Sequence, residues 1–149
     1  MKLSTKGRYG LRAMLDLAIN SSGEHVSLYS VAERQNISIN YLEQVFSILR
    51  KAGLVKSVKG AQGGYILTVH PSSTTVGTIL RALEGELALV GEETVGSAST
   101  GRTITDCIKL HVWDKMNESL NQVVDSISLE DLVNEYKKMN GEETAMYFI

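Results

Sequence analysis

The sequence predicts a mainly α-helical protein with one small β-hairpin, followed by a long helix that needs a partner. Three observations carry this prediction. Apolar residues recur at helical spacing over most of the chain. A glycine-rich segment, KGAQGG at 59–64, separates two short alternating runs. Later, apolar residues between positions 104 and 127 recur at steps of four or three along one narrow stripe.

Two helices are predicted before residue 36. The first covers 4–21, with Ser4 or Thr5 as its cap and Gly23 after its end. The second covers 28–35 and is capped by Ser27. The residues expected to face the interior share helical spacing, and they are Leu11, Met14, Leu15, Ala18 and Ile19 in the first helix, and Leu28, Val31 and Ala32 in the second.

A short turn at Asn36 and Ile37 leads to the third predicted helix. Asparagine tolerates the left-handed backbone that such a turn can require. Ser38 takes the N-cap position, and Gly53 closes the helix. Its buried stripe is expected to be Leu42, Val45, Phe46 and Leu49. Two helices joined by a short turn, with another helix ahead, predict a helix-turn-helix unit.

The hairpin is predicted directly after this unit. Strands are expected at 55–58 and 65–69, with the tip at 59–64, where three glycines permit positive φ. A further helix at 76–83 places Val76, Ile79, Leu80 and Leu83 on one face. Together these elements predict a winged helix-turn-helix domain over residues 1–83.

The remaining chain is expected to form a flexible loop at 84–103 and a dimerisation unit at 104–149. The loop prediction rests on the Gly, Ser and Thr content of 85–102. A long helix at 104–126 and a short one at 129–139 follow. We expect a second copy of the chain to cover the stripe of the long helix, although packing on the first helix of the same chain is the alternative. The stripe is Ile104, Ile108, Val112, Met116, Leu120, Val123 and Ile127.

Charge is distributed unevenly along the chain. Residues 1–83 contain 10 Lys and Arg against 4 Asp and Glu, a balance of +6, whereas residues 84–149 contain 5 against 13, a balance of −8. Such asymmetry also arises by chance, but here it favours contact between the first part and a polyanion.

The predicted architecture places the start of the third helix in the major groove of DNA. Glu43 suits a cytosine amino group and Gln44 suits adenine. Alternatively, Ser38 is only a helix cap and Glu43 is only solvated. The candidates nearest the bases are Ser38, Asn40, Tyr41, Glu43, Gln44 and Ser47. The candidates for phosphate or minor-groove contact are Lys6, Arg8, Tyr9, Arg50, Lys51, Lys56 and Lys59.

Other functional classes find little support in the sequence. No run of 18 apolar residues predicts a membrane helix, and no secretory signal is recognisable. With a single cysteine the chain has no intrachain disulfide, and we expect a cytoplasmic protein. No catalytic motif is present, so we do not expect an enzyme. Cys107 and His111 lie four residues apart, which suits a redox or metal role, although Cys107 also suits a small core or interface residue.

Three stretches together resemble the Rrf-two family of bacterial transcription regulators. They are MKLSTKGRYGLRAMLDLA at the start, ISINYLEQVFSILRKAGLVKSVKGAQGGYIL in the middle and ISLEDLV later. The resemblance implies a homodimeric winged-helix fold with crossed long helices, bound to a palindromic operator. It also implies DNA contacts, which fall here on Tyr9, Ser38, Asn40, Glu43, Gln44, Lys59 and Gly60. Relatives often have arginine at the wing position that Lys59 occupies.

Within that family, the resemblance is greatest to the cysteine-metabolism repressor branch. Members that bind an iron–sulfur cluster carry three cysteines before the long helix, and only Cys107 is present here. No cofactor is therefore expected, and a cluster sensor built on Cys107 and His111 is the alternative. The branch also resembles this chain in its aromatic C-terminal segment, residues 146–149, and it implies cysteine synthase as a possible protein partner.

Overall fold

In a computed structural model, the chain is described over residues 2–60, 63–91 and 103–141. Helices α1 to α4 and the two strands come first, and three further helices follow. Their bounds are α1 Thr5–Asn20, α2 Leu28–Gln35, α3 Ile39–Lys51, β1 Val55–Val58, β2 Gly64–Leu67, α4 Val76–Glu84, α5 Ile104–Ile108, α6 Asp114–Asp125 and α7 Leu129–Met139. The predicted fold class, mainly α with a small β wing, is confirmed.

Side-chain caps fix the start of each N-terminal helix. The hydroxyl oxygens of Ser4, Ser27 and Ser38 each accept a hydrogen bond from the backbone N–H three residues later. Such caps satisfy amides that the first helical turn leaves free. Asn36 has a φ of 54°, the left-handed conformation predicted for the turn between α2 and α3. The helix-turn-helix is thus built from local signals.

The main core lies where α1, α3 and α4 meet the wing. All four residues of the predicted α3 stripe are buried, and so are the four on the predicted face of α4. Ala13 and Leu17 of α1 are also fully buried, although the predicted face of that helix did not include them. Leu129, the first residue of α7, is fully buried in the same core. The C-terminal part of the chain therefore contributes to the core around α3.

The wing is a two-stranded antiparallel sheet attached to the start of α2. Val55 pairs with Leu67 and Val58 with Gly64. The second strand was predicted at 65–69, but it begins and ends earlier. The N–H of Thr68 still donates to the carbonyl of Leu54 at 3.1 Å, in register with the ladder and one step beyond its last pair. Val26 exchanges two backbone hydrogen bonds with Tyr65, of 2.9 and 2.8 Å, which anchor the hairpin to the helix-turn-helix.

The long helix at residues 104–125 contains a π-helical segment, Lys109–Trp113, between α5 and α6. Periodicity alone did not predict this change of pitch. Along the predicted stripe, Ile104 is 80% exposed and Met116 44% exposed, and Ile108, Val112 and Val123 are also exposed. Leu120 and Ile127 instead lie partly buried against a second apolar cluster of Val76, Leu80, Leu87 and Val124 within the same chain.

An ion pair also joins α4 to α6. Arg81 donates to both carboxylate oxygens of Asp125, at 2.7 and 2.8 Å, and to Asn121 Oδ1 at 2.6 Å. These hydrogen bonds from Arg81 are the main reason that the pKa of Asp125 lies below its usual value. Any stability that the pair adds is therefore present above the ordinary aspartate pKa and is lost as the pH falls through the lowered one.

Residues 85–91, within the segment 84–103 that was predicted as a flexible loop, make specific contacts with α6. Leu87 is buried, and its carbonyl accepts a hydrogen bond from Asn121 Nδ2 at 3.1 Å. The N–H of Leu89 donates to Asn117 Oδ1 at 2.7 Å. This stretch is thus held against α6 by these contacts, and flexibility of the whole segment 84–103 stays a prediction. Its remainder at 92–102 lies outside the described residues, as does the C-terminal segment at 146–149. No helix in the described ranges is long and apolar enough to span a membrane.

Candidate nucleic-acid interface

The exposed face of α3 carries four of the six predicted base-contacting residues. Asn40, Glu43, Gln44 and Ser47 follow one another at helical spacing, opposite the buried stripe. Together with Ile48 they line one shallow surface depression. Because amide, hydroxyl and carboxylate groups all lie along this face, it offers the donors and acceptors that base edges require.

The other two predicted base contacts, Ser38 and Tyr41, have structural roles at the start of α3. Ser38 Oγ accepts from the N–H of Tyr41 at 3.2 Å, so the alternative that this serine caps the helix is realised. The Tyr41 ring meets Tyr9 of α1 edge to face, with 5.8 Å between ring centroids. The first turn of α3 is therefore fixed both by its own cap and by an aromatic contact with α1.

The predicted phosphate contacts on α1 lie beside an acidic cap. Lys6 and Arg8 are exposed. The N–H of Gly7 donates to Glu84 Oε1 at 2.9 Å, and the Ser4 hydroxyl also donates to this carboxylate. Sequence analysis did not find this cap, because the two residues are 77 positions apart. Since Glu84 already occupies the Gly7 amide, a phosphate at this helix end would depend on side chains.

The remaining predicted cations lie on the wing and at the end of α3. Lys56 on β1 and Lys59 at the hairpin tip are exposed, as is Gly60, whose φ is 136°. Arg50 and Lys51 occupy the last turn of α3 and are exposed. Arg50 is ten residues beyond Asn40, about 15 Å along the helix axis. Arg50 stands three residues after Ser47 and seven after Glu43, so it extends the polar face toward the end of α3, whereas Lys56 and Lys59 add exposed charge on the wing.

A residue absent from the sequence prediction, Arg12, links α1 to α2. Its guanidinium lies 5.1 Å from the ring centroid of Tyr9, and one of its nitrogens donates to the backbone carbonyl of Gln35. Gln35 is the last residue of α2 and directly precedes the turn. Tyr9 and Arg12 are three apart, a spacing that places side chains side by side on a helix. That spacing was the available signal.

A buried carboxylate reinforces the same junction. Asp16 of α1 is only 3% exposed. Arg34 donates to it through two nitrogens, at 3.0 and 2.8 Å, and Gln35 Nε2 donates at 2.8 Å. These hydrogen bonds to Asp16 are the main reason that the pKa of Arg34 is raised above its ordinary value, so the arginine stays charged. The C-terminal turn of α2 is thus tied to α1 by two arginines.

The fold and this surface together define a winged helix-turn-helix DNA-binding protein. A family model described as "Rrf2: Iron-dependent Transcriptional regulator" matches residues 3–135, and the chain belongs to this family. The chain is 41% identical over 148 residues to the transcriptional regulator CymR of Bacillus subtilis, covering 99% of both proteins. It is 40% identical to IscR of Escherichia coli O1:K1, covering 90% of this chain and 81% of that one.

Solved structures agree with these relationships. The structure of CymR, the global cysteine regulator of B. subtilis, matches with a TM-score of 0.76, covering 91% of this chain and 98% of that one. The structure of T. potens IscR matches with a TM-score of 0.73 at 45% identity, covering 93% and 90% of the two chains. The family is one of transcriptional regulators, which confirms the prediction of a DNA-binding regulator that is not an enzyme.

The residues of this chain do not fit an iron–sulfur cluster held by one subunit. Cys107 is the single cysteine of the sequence and is exposed on α5, and His111 is exposed in the π-helical segment. Within the described ranges, no three His, Cys, Asp or Glu side chains are grouped so that they could hold a metal ion. The segment 92–102 contains neither cysteine nor histidine. Such clusters usually take four protein ligands.

Proposed function

We propose that this protein is a homodimeric repressor of sulfur and cysteine metabolism genes, which binds a two-fold symmetric operator. The polar face of α3 enters the major groove, and the cations of the wing and of α1 contact the backbone on either side. The observation that carries the proposal is this polar face of α3, in a domain whose α1 and wing also expose cations. The full-length similarity to the B. subtilis regulator CymR supports the target class.

In this proposal, residues 1–83 contact the DNA and residues 104–149 form the dimer. The apolar residues of the long helix that are exposed in a single chain support the second assignment, because water-exposed stripes of this kind usually face a partner. A second copy of the same chain is the simplest partner, since a two-fold axis lets one stripe cover its twin. The proposal also places the protein in the cytoplasm, together with the DNA that it would bind.

An experiment on DNA selected from a random duplex library tests the proposal. The full-length protein should enrich an inverted repeat and bind it far more tightly than one half-site, at a stoichiometry of two chains per duplex. Enrichment of no sequence, or equal affinity for the half-site and the repeat, would contradict it. Salt concentration must be held constant, because phosphate contacts make affinity strongly salt-dependent.

Substitutions of Lys59 and Gln44 separate backbone contact from base recognition. Lys59→Ala should weaken binding to every duplex equally. It should also reduce the slope of log affinity against log salt concentration by about one, the value for one lost phosphate contact. Gln44→Ala should instead lower affinity for the selected repeat by about 1–3 kcal/mol and leave unrelated DNA unaffected. Titrations of both DNAs at several salt concentrations measure the difference. Identical behaviour of the two variants would contradict the assignment.

We propose cysteine synthase as a protein partner, docked through the apolar C-terminal residues 146–149. A short apolar and aromatic segment suits insertion into a partner's pocket. Deleting residues 146–149 should abolish co-elution with purified cysteine synthase and leave DNA binding by the regulator alone unchanged. A variant with Glu142 and Glu143 changed to Gln is the matched control, because it keeps the apolar end. Equal binding by the deletion variant would refute this docking mode.

The iron–sulfur alternative is less favoured. It would need Cys107 and His111 from two chains to form one site, whereas the chain is 41% identical to the regulator CymR over 99% of both proteins. Iron and acid-labile sulfide assays on protein purified without oxygen distinguish the two hypotheses. Stoichiometric iron that disappears in Cys107→Ser would overturn the cluster-free proposal.

A further inference from the structure

The junction of α1, α2 and α3 contains a cation that the proposed DNA contacts leave without a function. Arg12 is exposed at the surface, yet its guanidinium interacts with two other groups of the protein. It lies 5.1 Å from the centroid of the Tyr9 ring and donates to the carbonyl of Gln35. Arg8 also lies near that ring, at 5.9 Å, and donates to Thr5 Oγ1 of its own helix at 3.3 Å.

Both groups that Arg12 contacts are close to the start of α3, one along the chain and the other by side-chain packing. Gln35 is followed directly by the left-handed Asn36, and the turn then passes into the Ser38 cap. Tyr9 contacts Tyr41 in the first turn of α3. Arg12 therefore contacts one group on each side of the turn, a backbone carbonyl before it and an aromatic ring packed on the helix after it.

We infer that Arg12 is a positioning residue for base recognition: it fixes the angle at which the polar face of α3 meets the DNA. The inference rests on the proposed function. A planar guanidinium can stack on a ring and donate in its own plane at the same time, which a lysine ammonium cannot reproduce. Base contacts depend on small displacements of α3, whereas contacts with the phosphate backbone tolerate them. Loss of this junction should therefore reduce specificity more than affinity.

The test is Arg12→Lys, which keeps the charge and removes the planar fork. We expect affinity for the selected repeat to fall about tenfold, the scale of one charge-assisted hydrogen bond. Affinity for unrelated DNA and the salt dependence should stay the same, because the charge is retained. Arg8→Gln is the comparator. It removes a proposed phosphate contact beside the same ring, so it should weaken both DNAs equally and flatten the salt dependence.

Three results would overturn the inference. Equal weakening of both DNAs by Arg12→Lys would make Arg12 a phosphate contact. A lower thermal midpoint with an unchanged ratio of the two affinities would make it a merely structural residue. Unchanged affinities for both DNAs and an unchanged thermal midpoint would show that Arg12 does not position α3. If Arg12→Lys does not fold, Arg12→Gln at the same position provides the same comparison of the two DNAs. Failure of the wild-type protein to prefer any sequence would instead refute the proposed function.

Discussion

Replacing Gly64 with alanine is expected to lower the free energy of unfolding by about 3 kcal/mol, because the new methyl group would overlap fixed backbone. A Cβ built at this position lies 2.6 Å from the carbonyl carbon of Val26 and 2.9 Å from the N atom of Ser27. Neither neighbour can move easily. Val26 is hydrogen-bonded to Tyr65 through both its N–H and its carbonyl, and Ser27 caps α2.

The contact with the backbone of Val26 and Ser27 decides that Gly64→Ala destabilises the fold. Alanine in place of glycine restricts the unfolded chain, which by itself would stabilise a protein by about 0.4–1 kcal/mol. The overlap at Gly64 is larger than this gain. Gly91→Ala is the control, since a Cβ there meets nothing within 4 Å. Urea unfolding at equal protein concentration should give a midpoint about 1–2 M lower for Gly64→Ala. Equal midpoints for the two variants would show that the wing does not depend on this close approach.

Introducing a charge into the exposed stripe of the long helix is expected to separate the proposed dimer. Met116 is 44% exposed in the single chain, so Met116→Glu should not disturb its own fold. Across a two-fold axis, however, the substitution would bury two like charges without partners. Affinity for the inverted repeat should then fall on the order of a hundredfold, since the second half-site is no longer bound within one complex.

Gln122→Glu provides the matched control for the dimer. The residue is exposed on the same helix, and six positions from Met116 place it about 120° around the axis. It adds the same charge outside the stripe. Light scattering after gel filtration should report a monomer for Met116→Glu and a dimer for Gln122→Glu. A dimer in both variants would move the interface away from this stripe.

Local signals predicted most of the fold. The bounds of α2 and α7 agree with the predicted ranges 28–35 and 129–139, and the cap Ser27 was the local signal for the start of α2. The turn at Asn36 was equally visible, because few non-glycine residues adopt its conformation. Features that depend on distant residues were not predictable. The contacts of Asn117 and Asn121 with residues 87–89 join positions about thirty apart, so no local signal in the sequence showed that this stretch packs on α6.

The candidate DNA-binding surface likewise contains residues that the sequence could predict and residues that it could not. The polar face of α3 follows from helical spacing alone, since three exposed positions and the half-buried Ser47 lie opposite four buried ones. The roles of Tyr41 and Arg12 depend on how three helices meet, and only the packed structure shows this. The acidic cap at the start of α1 was hidden for the same reason, because Glu84 comes from the far end of α4.

Hydroxyl-radical footprinting on the selected duplex tests the central claim most directly. The account predicts two equivalent protected segments, related by two-fold symmetry and separated by about 10 base pairs or a multiple of that spacing. Gln44→Ala should weaken both segments together. A single protected segment, or uniform protection without regard to sequence, would contradict the proposal that two copies of α3 recognise one operator.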